Sequence, residues 1–303
     1  MADLSVNVAG VRFENPLVAA SGTFGFGREY GEFYPLSALG GISCKGITLK
    51  RRDGNPPPRI AETPSGILNA VGLQNPGVDV FIEEDLPWLK QQNTVVIANI
   101  AGNTVEEYCQ MAEKLSETGV DMIELNISCP NVKSGGVQFG TSCESVGNIT
   151  AEVRRHCKKP LIVKLSPNVT DIASIAQSAE ASGADALSMI KTLKGMRIDI
   201  RTRRPIIRNN TGGLSGAAVF PVAVRMVWQV ANAVKIPIIG MGGISTWEDA
   251  VEMLMAGATA LQIGTVLFSD PYAPVKITEG LNSFLDENGI KSVSELTGTV
   301  IPW

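Results

Sequence analysis

The feature that most limits how this chain can fold is a repeated rhythm along its length. Eight short apolar runs, residues 15–21, 41–46, 94–100, 122–127, 160–165, 186–190, 236–240 and 260–264, are each followed by a polar or glycine-rich loop and then by helical periodicity. Apolar runs of this length suit strands buried on both faces, and serial strand–loop–helix units build a parallel sheet. Residues 104–118, with Tyr108, Met111, Ala112 and Leu115 at helical spacing, and residues 247–256 read as intervening helices. Eight strands favour closure into a (β/α)8 TIM barrel over an open doubly wound sheet, and 303 residues fit one such barrel as a single domain, 1–303. Two connections, 48–94 and 191–225, are too long for simple turns. Insertions of that length at a barrel's strand ends usually cover or build a site, so extended loops at the C-terminal rim are expected.

Composition removes several kinds of chemistry. The only histidine, His156, lies in Arg-Arg-His-Cys-Lys-Lys, which reads as the polar end of a helix. One such residue cannot supply a histidine metal cluster or a Ser-His-Asp triad. Any general base is therefore Cys, Lys, Asp, Glu or Tyr. The five cysteines are widely spaced with no C-x-x-C pair, so neither a disulfide framework nor a resident zinc or iron–sulfur site is indicated. A net charge of −4 gives no reason to expect a nucleic-acid partner, and the arginines of 197–208 read as a solvated loop. No apolar run approaches the ~20 residues of a membrane span, and no basic, then apolar leader opens the chain. A cytoplasmic protein without a membrane partner is the expectation.

Barrel active sites lie at the C-terminal ends of the strands, so the residues closing each run carry the functional reading. Here they are Ser21 and Gly22, Lys45, Asn99, Asn126, Lys164, Lys191 with Thr192, Gly242 with Gly243, and Gly264 with Thr265. Any one of these suits a cap or a turn. Together they suit a ligand rich in hydrogen-bonding atoms. Glycines after the seventh and eighth runs let backbone N–H groups approach a phosphate, and the segment Gly212-Gly-Leu-Ser-Gly216 is either a further backbone contact or a mobile loop. Lys164 closes the apolar run Leu-Ile-Val-Lys, and a buried ammonium needs an anion or a polar cofactor. It could support the pyrimidine edge of a reduced flavin, or form a Schiff base. Cys129, in Asn126-Ile-Ser-Cys-Pro-Asn131, is the most plausible proton acceptor once histidine is set aside, whereas Cys44, beside Lys45, reads as core packing.

These motifs, with Ala20-Ser-Gly-Thr-Phe-Gly-Phe-Gly27, Lys45-Gly-Ile-Thr, Asn69-Ala-Val-Gly-Leu-Gln-Asn-Pro-Gly77 and Gly240-Met-Gly-Gly-Ile244, span nearly the whole chain. In them the chain resembles the catalytic subunits of class 1B, NAD-linked dihydroorotate dehydrogenases. The resemblance implies FMN held by Ser21, Lys45, Gly46, Asn99, Asn126, Lys164, Ile190, Gly216, Gly242, Gly243, Gly264 and Thr265. It implies dihydroorotate bound by Lys45, Asn69, Ala70, Val71, Gly72, Leu73, Asn126, Lys191 and Thr192, with Cys129 removing the C5 proton as hydride leaves C6. It further implies a homodimer of this chain joined by an electron-transfer subunit that carries FAD and an iron–sulfur cluster and delivers electrons to NAD in pyrimidine biosynthesis.

The chain departs from that family in three places. After the sixth run the family has Asn-Thr, and this chain has Lys191-Thr192; Ala217 stands where proline is usual, and Arg208 where a small residue is common. Asn and Lys are not interchangeable in hydrogen bonding or charge. Lys191 is left with three readings: pairing with the substrate carboxylate, crowding of the pocket, or a diverged or engineered activity such as a Schiff-base lyase or an inactive flavin-binding remnant.

Overall fold

The protein is described here from a computed structural model covering residues 2–127 and 139–303. Each of the eight apolar runs contributes one strand: Leu17–Ala19, Gly41–Ser43, Val95–Ile100, Met122–Asn126, Leu161–Lys164, Ala186–Met189, Ile238–Met241 and Ala260–Ile263. They pair in parallel, each with the next in the chain, and Ile263 beside Ala19 closes the ring. Most strands are shorter than their apolar runs. The seventh begins at Ile238 rather than 236, since Pro237 has no N–H to give to the ladder and only its carbonyl is used, by Leu187 N at 2.9 Å.

The helices pack outside the ring, and their starts are set by side chains. Thr104 accepts from the backbone N–H of Glu107 and opens the helix Val105–Ser116, whose Tyr108, Met111, Ala112 and Leu115 are buried against the barrel. Thr246 and Asp249 form a reciprocal capping box at Trp247–Met255. His156 is the last residue of Cys143–His156, as its neighbours imply. Cys44 is wholly buried in the core, where burial pushes its thiol pKa well up, and it is not a nucleophile. Arg197, Arg201, Arg203, Arg204 and Arg208 are all exposed.

The two long connections meet. Ile60–Thr63 and Gly66–Asn69 form a hairpin in the first, and Leu193–Gly195 pairs with Gly212–Ser215 in the second. Gly212–Ser215 also pairs with Gly66–Asn69, with Gly213 opposite Asn69, so both insertions belong to one four-stranded antiparallel sheet beside the barrel mouth. A hairpin of Val6–Val8 with Val11–Phe13, unanticipated from the apolar pattern, precedes the first barrel strand.

Candidate active site at the barrel mouth

The barrel interior is polar where hydrocarbon would be expected. Glu124, in the middle of the fourth strand, is fully buried. Its Oε1 accepts from Ser188 Oγ at 2.6 Å and Gln262 Nε2 at 2.8 Å; its Oε2 accepts from Ser43 Oγ at 2.7 Å, Lys164 Nζ at 3.4 Å and the amide of Asn99. Side chains from five other strands reach this one carboxylate only by pointing at the barrel axis. Burial, the largest influence, drives the carboxyl pKa up. The Lys164 charge and the hydrogen bonds from Ser188, Ser43 and Asn99 outweigh it together, and Glu124 stays below the ordinary carboxylate range. It is an anion at neutral pH.

Above this hub the strand ends and the four-stranded sheet enclose a cleft with about 1390 Å³ of empty space, open solvent included. Lys164 closes its strand on the same face as Ile162, two residues back, and reaches the cleft floor with Nζ also 3.2 Å from Gln262 Oε1. Asn126 ends the fourth strand. Its Nδ2 donates to Asn99 Oδ1 at 3.1 Å, its Oδ1 accepts from Lys191 Nζ at 3.1 Å, and its carbonyl accepts from the Tyr108 hydroxyl at 2.9 Å. The residue that departs from the family pattern is therefore built into the floor beside Asn126.

One wall is made of backbone. Gly216 and Gly243 both have positive φ, +107° and +81°. A Cβ at Gly243 would lie 2.8 Å from the Gly216 carbonyl oxygen and 2.9 Å from Phe220 N, so only glycine lets these segments meet. Thr265 Oγ1 donates to Ser215 Oγ at 2.9 Å and ties this wall to the end of the eighth strand.

The residues expected at the site converge here with few exceptions: Ser21, Lys45, Gly46, Asn69, Val71, Gly72, Leu73, Asn126, Lys164, Ile190, Lys191, Thr192, Gly216, Gly242, Gly243, Gly264 and Thr265 line the cleft. Asn99 does not. It sits one layer below, between Glu124 and Asn126. Ala70 does not either, because its N–H and carbonyl are engaged by Arg59 O at 2.7 Å and Asn55 Nδ2 at 2.9 Å. Cys129 and Asn131 lie outside the described residues. The motif reading missed Glu124, Gln262, Thr23, Ser215, Ser245 and Phe268, all but Glu124 in the cleft wall. A Glu and a Gln inside the apolar runs Met-Ile-Glu-Leu-Asn and Ala-Leu-Gln-Ile were the available signal for the first two.

Among the described residues, Lys45, Lys164 and Lys191 line the cleft and no carboxylate does. Such a lining favours an anionic ligand. The sequence profile described as Dihydroorotate dehydrogenase matches residues 3–285. The chain belongs to this family. It is 57% identical over 296 residues to a protein of Lachnoclostridium phytofermentans, with 98% of this chain and 99% of that one covered. It is 53% identical to one of Petrotoga mobilis, with 99% and 100% covered, and 54% identical to one of Bacteroides thetaiotaomicron, with 99% of each covered. All three relatives are named the catalytic subunit of dihydroorotate dehydrogenase B (NAD(+)). No helix among the described residues is long and apolar enough to cross a membrane.

Proposed function

We propose that this chain oxidises dihydroorotate to orotate on an FMN bound at the barrel mouth, and that a partner subunit carrying FAD and an iron–sulfur cluster passes the electrons to NAD. The near end-to-end likeness to dehydrogenase catalytic subunits favours this reading over a Schiff-base lyase or a closed remnant. The observation that supports it most is the cleft itself, in which three ammonium groups, the Asn126 amide and a glycine wall face one space with no acid among the described lining residues. Those residues fit FMN. Gly216, Gly242 and Gly243 line the cleft with no side chain of their own, which lets a phosphate approach main chain, and buried Lys164 offers a cation to a flavin ring. Ser21, Lys45, Gly46, Ile190, Gly216, Gly242, Gly243, Gly264 and Thr265 would hold the cofactor with Lys164 and Asn126, and Asn99 would act by orienting Asn126.

When bound, FMN supplies a two-electron acceptor for the hydride from C6. The chain's own residues do the rest. Lys45, the segment Asn69–Leu73, Asn126, Lys191 and Thr192 would orient the planar anionic substrate by charge-assisted hydrogen bonds. Cys129 would take the C5 proton. The homodimer, the partner subunit and a cytoplasmic location belong to the same proposal. Purified chain should be yellow, and anaerobic dihydroorotate should bleach it with one orotate formed per flavin. Yellow protein that dihydroorotate leaves oxidised would reject the reaction, and colourless protein that takes up no FMN would reject the cofactor.

Lys191 sharpens the substrate assignment. Its ammonium meets Asn126 at the cleft floor, a position suited to the substrate's carboxylate. Lys191→Met is expected to raise KM for dihydroorotate about tenfold to a hundredfold, the worth of one hydrogen bond to a charged group, with kcat changed less. Steady-state kinetics with an unchanged KM would remove the residue from substrate binding.

A further inference from the structure

Glu124 has more invested in it than barrel packing requires. Barrel interiors are normally filled by branched hydrocarbon side chains, and a buried carboxylate is costly unless it is paired and fully hydrogen-bonded. Here Ser43, Asn99, Lys164, Ser188 and Gln262 all serve it. Two of those partners, Lys164 and Gln262, themselves line the cleft, and Asn99 leads to a third lining residue, Asn126, at 3.1 Å. The carboxylate is thus one side chain removed from the cleft through Lys164 and through Gln262, and two removed through Asn99 and Asn126, and it lies behind the one lysine that is buried among the described residues. The Coulomb interaction of a buried charge is only weakly screened by solvent salt.

Building on the flavin reading above, we propose that Glu124 is a positioning residue that sets the reduction potential of the bound flavin through Lys164. The carboxylate fixes the ammonium in the cleft floor and cancels part of its charge. Lys164 alone would favour the electron-rich reduced ring and hold the electrons there. The pair leaves the site positive enough to accept a hydride and neutral enough to release electrons to a further carrier.

The test is the midpoint potential of the flavin bound to the intact chain, measured by anaerobic titration against a reference dye. Glu124→Gln keeps the shape and removes the charge, so the potential should rise by at least a tenfold change in equilibrium constant, about 30 mV for a two-electron couple. In a Lys164→Met background the same substitution should leave the potential unchanged, because a buried Glu124 without its counter-ion takes up a proton and is already neutral. If Glu124→Gln does not fold, Glu124→Asp, which withdraws the carboxylate from Lys164, should give a smaller rise. An unchanged potential, a fall, or equal shifts in both backgrounds would overturn the proposal while leaving the flavin reading intact. A colourless chain that binds no FMN would overturn both.

Discussion

Cys129→Ala is expected to keep its flavin and lose the reductive half-reaction, with the rate of anaerobic reduction by dihydroorotate falling by about 10²–10⁴, the usual worth of a positioned general base. The expectation follows from likeness, and several of the rival bases are out of reach. His156 sits at the far end of a helix and Cys44 is locked in the core with a raised thiol pKa. Glu124 is fully spent on five donors. No carboxylate among the described residues lines the cleft. Stopped-flow bleaching separates this step from reoxidation and from binding. A variant reduced at the wild-type rate would strip the thiol of its role, and a colourless variant would give it a structural one.

Lys164→Ala should be the most destabilising change at the site. It removes one half of a buried pair, so that Glu124 must take up a proton near neutral pH, where a glutamate in the unfolded chain is ionised, at a cost of about 3–5 kcal/mol, and it should weaken FMN retention as well. The pH dependence gives the prediction its sign. Glu124 has a folded-state pKa below its unfolded value, so its contribution is complete above the ordinary glutamate value of about 4.3 and is lost as pH falls through the lower, folded-state value. Denaturant melts of flavin-free wild type and Lys164→Ala should therefore lie far apart at pH 7 and converge in acid. A gap that stays constant with pH, or is under about 1 kcal/mol at pH 7, would show that the pair does not hold the barrel floor.

How much of this was legible in the sequence varies with the physical origin of each feature. The eight barrel strands were legible because strands buried on both faces are written as continuous apolar runs, and each run places one strand. Their ends were not. Lys45 and Gly46 continue an apolar run but lie beyond the strand Gly41–Ser43, where the chain turns into the rim. The site residues were legible as a set because a barrel brings its strand ends together whatever their separation along the chain. Partners within the barrel were harder to foresee. Asn99 was grouped with the ligand contacts, yet its side chain is taken by Glu124 and Asn126. Glu124 itself was passed over because a single acid inside an apolar run carries no sign of what it will meet from five other strands. The pairing of Asn69 with Gly213 was equally hidden, since nothing local to either glycine-rich segment specifies a partner so far away.

That last pairing ties the two insertions into a common inheritance. Asn69 begins the segment proposed to hold substrate, Gly213 begins the stretch leading to the Gly216 wall, and the backbone ladder between them fixes how the halves of the cleft face each other. Lengthening or transplanting either segment alone would slide the register and spoil both halves at once. A change of ligand preference in this chain should therefore need paired exchange of both segments, or single side chains like Lys191 that leave the shared ladder untouched.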